Sequence, residues 1–172
     1  MHGILDLHVD CIIQNRLFGY RIERRHRAGL PGQPLVWHAD LPRMKEADYS
    51  GACLGIHWFP WESGRGWRSM RRQIAYLDEI AAAEPRVTRV RHSADWRRAA
   101  DEGKLALAPG VEGAHMLDGE LGRVEGLAER DVAYLTLTHF SKNSAATPSM
   151  GRGANENDSL TPFGRDLVLT LE

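Results

Sequence analysis

Apolar positions along this chain come in short runs, and several of the runs close on polar side chains. Ile4–Val9 predicts a short buried strand ending in the motif LDLHVD at 5–10. Ala52–Phe59 (ACLGIHWF) predicts a second strand, Leu105–Val111 a third and Val132–Thr138 a fourth. Between them the period changes from two to 3.6. Trp67, Met70, Ile74, Leu77 and Ile80 form a helical stripe that Glu84-Pro85 ends. Ser93 reads as the N-cap of a helix running to about Glu102, with Gly103 just past its end. Leu117–Arg130 predicts a further helix. Thr161 and Pro162 open a last one, with Phe163, Leu167, Val168 and Leu171 on one face. Arg86–Arg91 reads as a short extended piece, residues 141–159 as a polar loop, and the roughly forty residues after Val9, with PGQP at 31–34, as irregular.

Alternation of apolar strands with helices implies a parallel sheet covered by helices. Four such units suit either a small doubly wound sheet or the N-terminal half of an eight-fold (β/α)8 TIM-type barrel. The second would leave an open strand edge and uncover the apolar face of the last helix. At 172 residues the chain is expected to be a single domain. Its net charge of −1 gives no reason to expect nucleic acid or an acidic membrane surface as partner. The basic run Arg21–Arg27 reads as a solvated loop or frayed helix rather than a phosphate patch, because no aromatic or glycine pattern accompanies it. Cys11 and Cys53, placed in predicted strands, read as reduced core thiols. No signal-peptide pattern and no apolar run near 20 residues is present, so a cytoplasmic location is expected.

The chemistry concentrates at strand ends. His8 and Asp10 are two apart, so on a strand they share a face. Glu112 closes LALAPGVEG and His139 closes AYLTLTH. A parallel barrel builds its active site from such C-terminal strand ends. His8, Asp10 and Glu112 are side chains that zinc accepts, and a carboxylate such as Glu112 also bridges two metals. The bland alternative for His8 and Asp10 is a hydrogen-bonded structural pair. His139 suits metal ligation, polarisation of a carbonyl or proton transfer, or else a core histidine bonded to backbone. His57 reads as structural and His115 as a supporting or loop residue. His2, His26, His38 and His92 read as surface or loop positions. Trp58 and Trp61 suit either a pocket wall or simple packing. No GxSxG elbow, P-loop or GxGxxG fingerprint occurs. After His139 the sequence contains no further histidine.

These segments resemble the membrane (renal) dipeptidases, zinc metallopeptidases of the amidohydrolase-like barrel type. The resemblance is carried by DLHVD at 6–10, HADLPRMKEADYSGACLGIHW at 38–58, SADWRRAADEGKLALAPGVEGAHML at 93–117, VAYLTLTH at 132–139 and SLTPFGRDLV at 159–168, in the family's order. It implies that His8 and Asp10 ligate one zinc and that Glu112 bridges two. It implies for His139 a catalytic and substrate-binding role: contacting the dipeptide and stabilising the oxyanion at the scissile carbonyl. The implied substrates are dipeptides or related amides, and the implied cofactor is two Zn2+ per complete site.

The resemblance also implies parts that no residue here matches. These are two histidines for the second zinc, an aspartate that completes the first, and an arginine for the substrate carboxylate, all on strands beyond Glu172. The expectation is therefore a truncated chain, the N-terminal half of a dipeptidase that is incomplete until the C-terminal half or a second copy is supplied. The competing expectation is a non-catalytic barrel fragment that binds metal weakly or serves as an interaction module. Asp131 and Ser159 stand where the family commonly has glycine, which bears on local turn geometry.

Overall fold

The computed structural model describes residues 3–26 and 39–172. His2, Arg27, the PGQP segment, Trp37 and His38 lie outside the described residues. The chain divides into two compact units, Met1–Ile56 with Ala75–Gly110, and His57–Ile74 with Val111–Glu172. The elements in chain order are β1 (Ile4–Val9), α1 (Cys11–Phe18), α2 (Leu41–Glu46), β2 (Tyr49–Ile56), α3 (Gly66–Ala83), β3 (Val87–Arg89), α4 (Ser93–Asp101), β4 (Leu105–Val111), α5 (Val124–Ala128), β5 (Tyr134–Leu135) and α6 (Pro162–Leu171). Among the described residues no helix is long and apolar enough to cross a membrane.

The first unit is built on strands in the order β1-β2-β4-β3, with β1 parallel to β2 and β3 parallel to β4. Leu54, Ile56, Leu105 and Leu107 are fully buried, so β2 and β4 form its centre. Gly51 lets α4 close on the sheet. A Cβ at that position would fall 2.5 Å from the Trp96 ring and 3.0 Å from the Ala106 carbonyl. The predicted extended piece is β3, and the third predicted strand is β4 with the expected bounds.

Five expectations for this unit need correction. β1 is not buried: Leu5 and Leu7 are 47% and 66% exposed, because β2 is its one strand neighbour among the described residues. That is the open edge a half-barrel leaves. The residues directly after Val9 are not irregular, since α1 runs from Cys11 to Phe18 and Gly19, at φ +68°, terminates it. α2 was missed too, although Asp40 caps it by accepting the Arg43 N–H at 2.9 Å and Pro42 opens it. Cys11 accordingly lies in a helix, not a strand. Both cysteines are free and buried, and burial pushes the Cys11 thiol up to about 12. At α4, Ser93 is the first helical residue and His92 the cap, with the Asp95 carboxylate accepting the His92 N–H at 3.0 Å.

In the second unit Met70, Met116, Leu117 and Leu167 are fully buried. Trp67 lies under two guanidinium groups, Arg123 and Arg130, each 5.4 Å from the ring centre. The helix expected over 117–130 is mostly short 3-10 turns, and only Val124–Ala128 is α-helical. Gly119, at φ +78°, and Asp118, at φ +51°, interrupt it. Asp131 adopts φ +54°, a left-handed conformation that glycine takes without strain. α6 follows its prediction, with Thr161 accepting the Gly164 N–H at 2.9 Å. Its Leu169 is 69% exposed, leaving part of its apolar surface uncovered.

Two substitutions test these packings by urea unfolding. Gly51→Ala should cost about 1–3 kcal/mol, since Trp96 and the β4 backbone both resist displacement. Thr161→Ala should cost about 1 kcal/mol through loss of the α6 cap.

Candidate active site

In the first unit His8 sits in β1 and Asp10 directly follows it, with His8 Nε2 2.8 Å from Asp10 Oδ1. Asp10 is the N-cap of α1, at φ −88° and ψ 28°, and not a strand residue as the i, i+2 spacing implied, yet the two side chains do meet. The His8 N–H is held by Asp6 Oδ1 at 3.0 Å, and Asp6 in turn accepts the Tyr49 hydroxyl at 3.2 Å. Both imidazole and carboxylate are well exposed, 36% and 55%. A surface ion pair in this setting contributes little to stability. Its geometry is more informative as a ready N,O donor pair.

In the second unit the centre is Glu112, the first residue after β4. One carboxylate oxygen lies 2.9 Å from His57 Nε2 and the other 3.3 Å from His139 Nε2. The His57 side chain is 4% exposed and that of Glu112 15%. The two imidazole rings stand 6.2 Å apart, nearly perpendicular, with the carboxylate serving both. A carboxylate withdrawn this far from water is costly, and a ring nitrogen stands within 3.3 Å of each of its two oxygens.

Local sequence explains how these groups are fixed. Thr136 donates its N–H to the Val111 carbonyl at 3.0 Å, and its hydroxyl accepts the Gly113 N–H at 2.8 Å. The Ala114 N–H reaches the Leu137 carbonyl at 3.2 Å. The backbone on both sides of Glu112 is thereby tied to the segment leading into His139. β5 is only two residues long, against the seven expected, because the chain beyond it exchanges regular ladder bonds for these threonine contacts. Gly113 is required on two grounds. Its φ is +95°, and a Cβ there would lie 2.6 Å from His115 Nδ1.

His115 lies close to Gly113, the residue after Glu112. Its ring stacks on Trp58 with centroids 4.3 Å apart and planes 13° from parallel. Its nitrogens face the Ser141 hydroxyl at 2.9 Å and the Asn143 amide at 3.3 Å. Burial, with a smaller contribution from the charge of His139, moves its pKa below the ordinary imidazole value. Trp58 and His115 line a cavity of about 350 Å3 whose other walls include Asp118, Lys142 and Asn143. Trp58 is therefore a pocket wall, whereas Trp61 stacks on Phe59 and is 63% exposed.

His57 is the residue that sequence reasoning undervalued. It follows the apolar run of β2 just as Glu112 follows that of β4, and this was the signal available. Gln73 was not singled out at all. It is a polar residue on the apolar stripe of α3 and is 3% exposed. Its side-chain oxygen accepts the His57 N–H at 2.9 Å and its amide donates to the His57 carbonyl at 2.8 Å. Of the remaining histidines, His26 bonds the Arg21 carbonyl at 2.7 Å, and His92 caps α4.

The donor types fit zinc: an imidazole and a carboxylate in one unit, and a carboxylate whose two oxygens each face a separate group in the other. A family model for the membrane dipeptidases (peptidase family M19) matches residues 2–171. The chain is also similar to the probable dipeptidase PvdM from Pseudomonas aeruginosa, at 22% identity and a TM-score of 0.77, over 97% of this chain and 43% of that one. It resembles dipeptidase AC, a metallopeptidase of family M19, at 21% identity and a TM-score of 0.73, covering 97% and 52% of the two chains. A third solved structure is a metallopeptidase from Rhodobacter sphaeroides liganded with a phosphinate mimic of the dipeptide L-Ala-D-Ala. There the identity is 20%, the TM-score 0.72 and the coverage 97% and 55%. These likenesses show the fold, which is α/β and corresponds to the N-terminal part of a TIM-type barrel. The chain spans about half, or somewhat less, of the length of the structures it matches. With the family model matched almost end to end, the chain belongs to the membrane dipeptidase family, M19.

Proposed function

We propose that this chain supplies the N-terminal share of a zinc-dependent dipeptidase site. In this reading His8 and Asp10 ligate one zinc, Glu112 bridges it to a second, and His139 contacts the substrate and steadies the oxyanion of the scissile carbonyl. Bound there, zinc supplies Lewis acidity and a water acidic enough to ionise near neutral pH. The observation that carries the reading is the Glu112 carboxylate, held in a family M19 chain with each oxygen against a different imidazole, 2.9 and 3.3 Å away.

Each residue has a separable task. Glu112 offers a carboxylate at 15% side-chain exposure, where solvent screens its attraction for a cation less than at the surface. His139, at 29% exposure, is the more open of its two imidazole partners, which supports assigning the substrate contact to it. A tetrahedral oxyanion next to a positioned ring N–H is stabilised by about 2.7–4 kcal/mol in comparable sites. The substrate class proposed is a dipeptide, including one with a D-residue at its C-terminal position. Support for this comes from the dipeptide mimic bound by the Rhodobacter sphaeroides relative.

The fraction of its relatives that the chain spans favours a second reading. In it these 172 residues bind metal weakly without turnover and act as an interaction module for a C-terminal half or a second copy. Calorimetric titration with zinc tests the assignment. The chain should bind zinc, and Glu112→Ala should weaken binding at least ~10-fold; an unchanged affinity removes the metal role of Glu112. Assay with L-Ala-D-Ala separates the two readings. The chain alone should turn over far more slowly than a full-length relative, and equal rates would place every required ligand within these residues.

A further inference from the structure

A continuous line of buried polar contacts runs through the second unit and ends on the Glu112 carboxylate. It starts at Glu62, in the 3-10 turn Pro60–Glu62, which accepts the Ser69 hydroxyl at 2.6 Å and the Phe59 N–H at 2.9 Å. Ser69 lies one turn before Gln73 on α3, and its oxygen and carbonyl are 3.3 and 3.4 Å from the Gln73 amide nitrogen. Gln73 then grips the main chain of His57 at both of its polar atoms. The imidazole of His57 meets Glu112, which in turn meets His139.

The orientation of the Gln73 side chain is fixed by its partners. Its oxygen faces a backbone donor and its nitrogen faces a backbone acceptor, so a flipped amide would lose both bonds. Ser69 and Gln73 are 8% and 3% exposed, and the His57 side chain 4%. Buried polar groups that are fully paired fix one arrangement of their neighbours more sharply than apolar packing does. This pairing sits immediately after the end of β2, where the chain leaves regular structure and the strand ladder stops constraining it.

We infer that Gln73 is a positioning residue for Glu112: it clamps the His57 backbone so that the His57 imidazole holds the carboxylate in one orientation. The relay stands on these contacts alone, while its consequence for zinc rests on the dipeptidase reading above. Outer partners of a metal-binding carboxylate are worth about 10–100-fold in metal affinity. Gln73→Met keeps the volume of the side chain and removes both bonds to His57.

The relay is tested without metal by a double-mutant cycle of Gln73→Met and Glu112→Gln in urea unfolding. Coupling of about threefold or more in the unfolding constant supports it, and additivity within that limit overturns it. Ser69→Ala, combined with Glu112→Gln, provides the same cycle should Gln73→Met fail to fold. Zinc titration then adds the functional arm. Gln73→Met should bind zinc at least ~10-fold more weakly than the unaltered chain. Leu127→Ala, a buried apolar change elsewhere in the unit, should lower stability and leave zinc affinity unaltered. Equal loss of affinity in both variants would reduce Gln73 to a general stability role and overturn the inference. An unaltered chain that binds no zinc would defeat the dipeptidase reading and leave the unfolding cycle to decide the relay.

Discussion

A carboxylate brought to 15% exposure loses most of its hydration, and at Glu112 an imidazole nitrogen stands 2.9 Å from one oxygen and another 3.3 Å from the second. Much of the second unit serves that pairing. Gln73 fixes the main chain that carries one imidazole, and Thr136 with Leu137 fixes the segment that leads to the other. Gly113 is the residue that allows the backbone to turn away directly after the carboxylate, with His115 packed where a side chain would otherwise be. Removing any one of these would loosen the segments that surround a largely buried carboxylate, which is among the more damaging single changes a fold can suffer.

The same constraint links the fold to the chemistry. Parallel strands deliver their C-terminal residues to one end of a sheet, so the elements that build the core also set where His57 and Glu112 begin. Strand ends lack ladder bonds, and precision there has to come from side chains. Threonine, glutamine and asparagine contacts to backbone supply it: Thr136 to Gly113, Gln73 to His57, Asn143 to the Leu137 carbonyl at 2.7 Å. The polar stretch after His139 is ordered by the same means, with Lys142 and Arg152 exchanging backbone bonds with their neighbours and the Lys142 ammonium 2.6 Å from Asp158.

Much of this was legible in the residues, and for identifiable reasons. β4 and α6 follow their predictions because period, capping and termination agree there: an unbroken apolar run in one, Thr161 and Pro162 opening the other. The strand-end position of Glu112 was equally plain. What was not legible depended on tertiary partners. β1 looks buried from its leucines, yet those leucines are exposed along an edge. α1 has too mixed a composition to show a helical stripe, and its Asp10 N-cap makes no side-chain capping bond. Leu117–Arg130 has helical spacing, but left-handed Asp118 and Gly119 break it into turns. His57 looked structural because its partner is 55 positions away in sequence, and Gln73 looked like a gap in an apolar stripe because its partner is a backbone.

The most direct measurement is a crystal structure of the chain soaked in zinc, with anomalous data collected on both sides of the zinc edge. The account predicts an anomalous peak about 2.0–2.2 Å from a Glu112 carboxylate oxygen, with Gln73 still bonded to the His57 backbone. A fully occupied Glu112–His57 contact with no zinc peak near that carboxylate would contradict it.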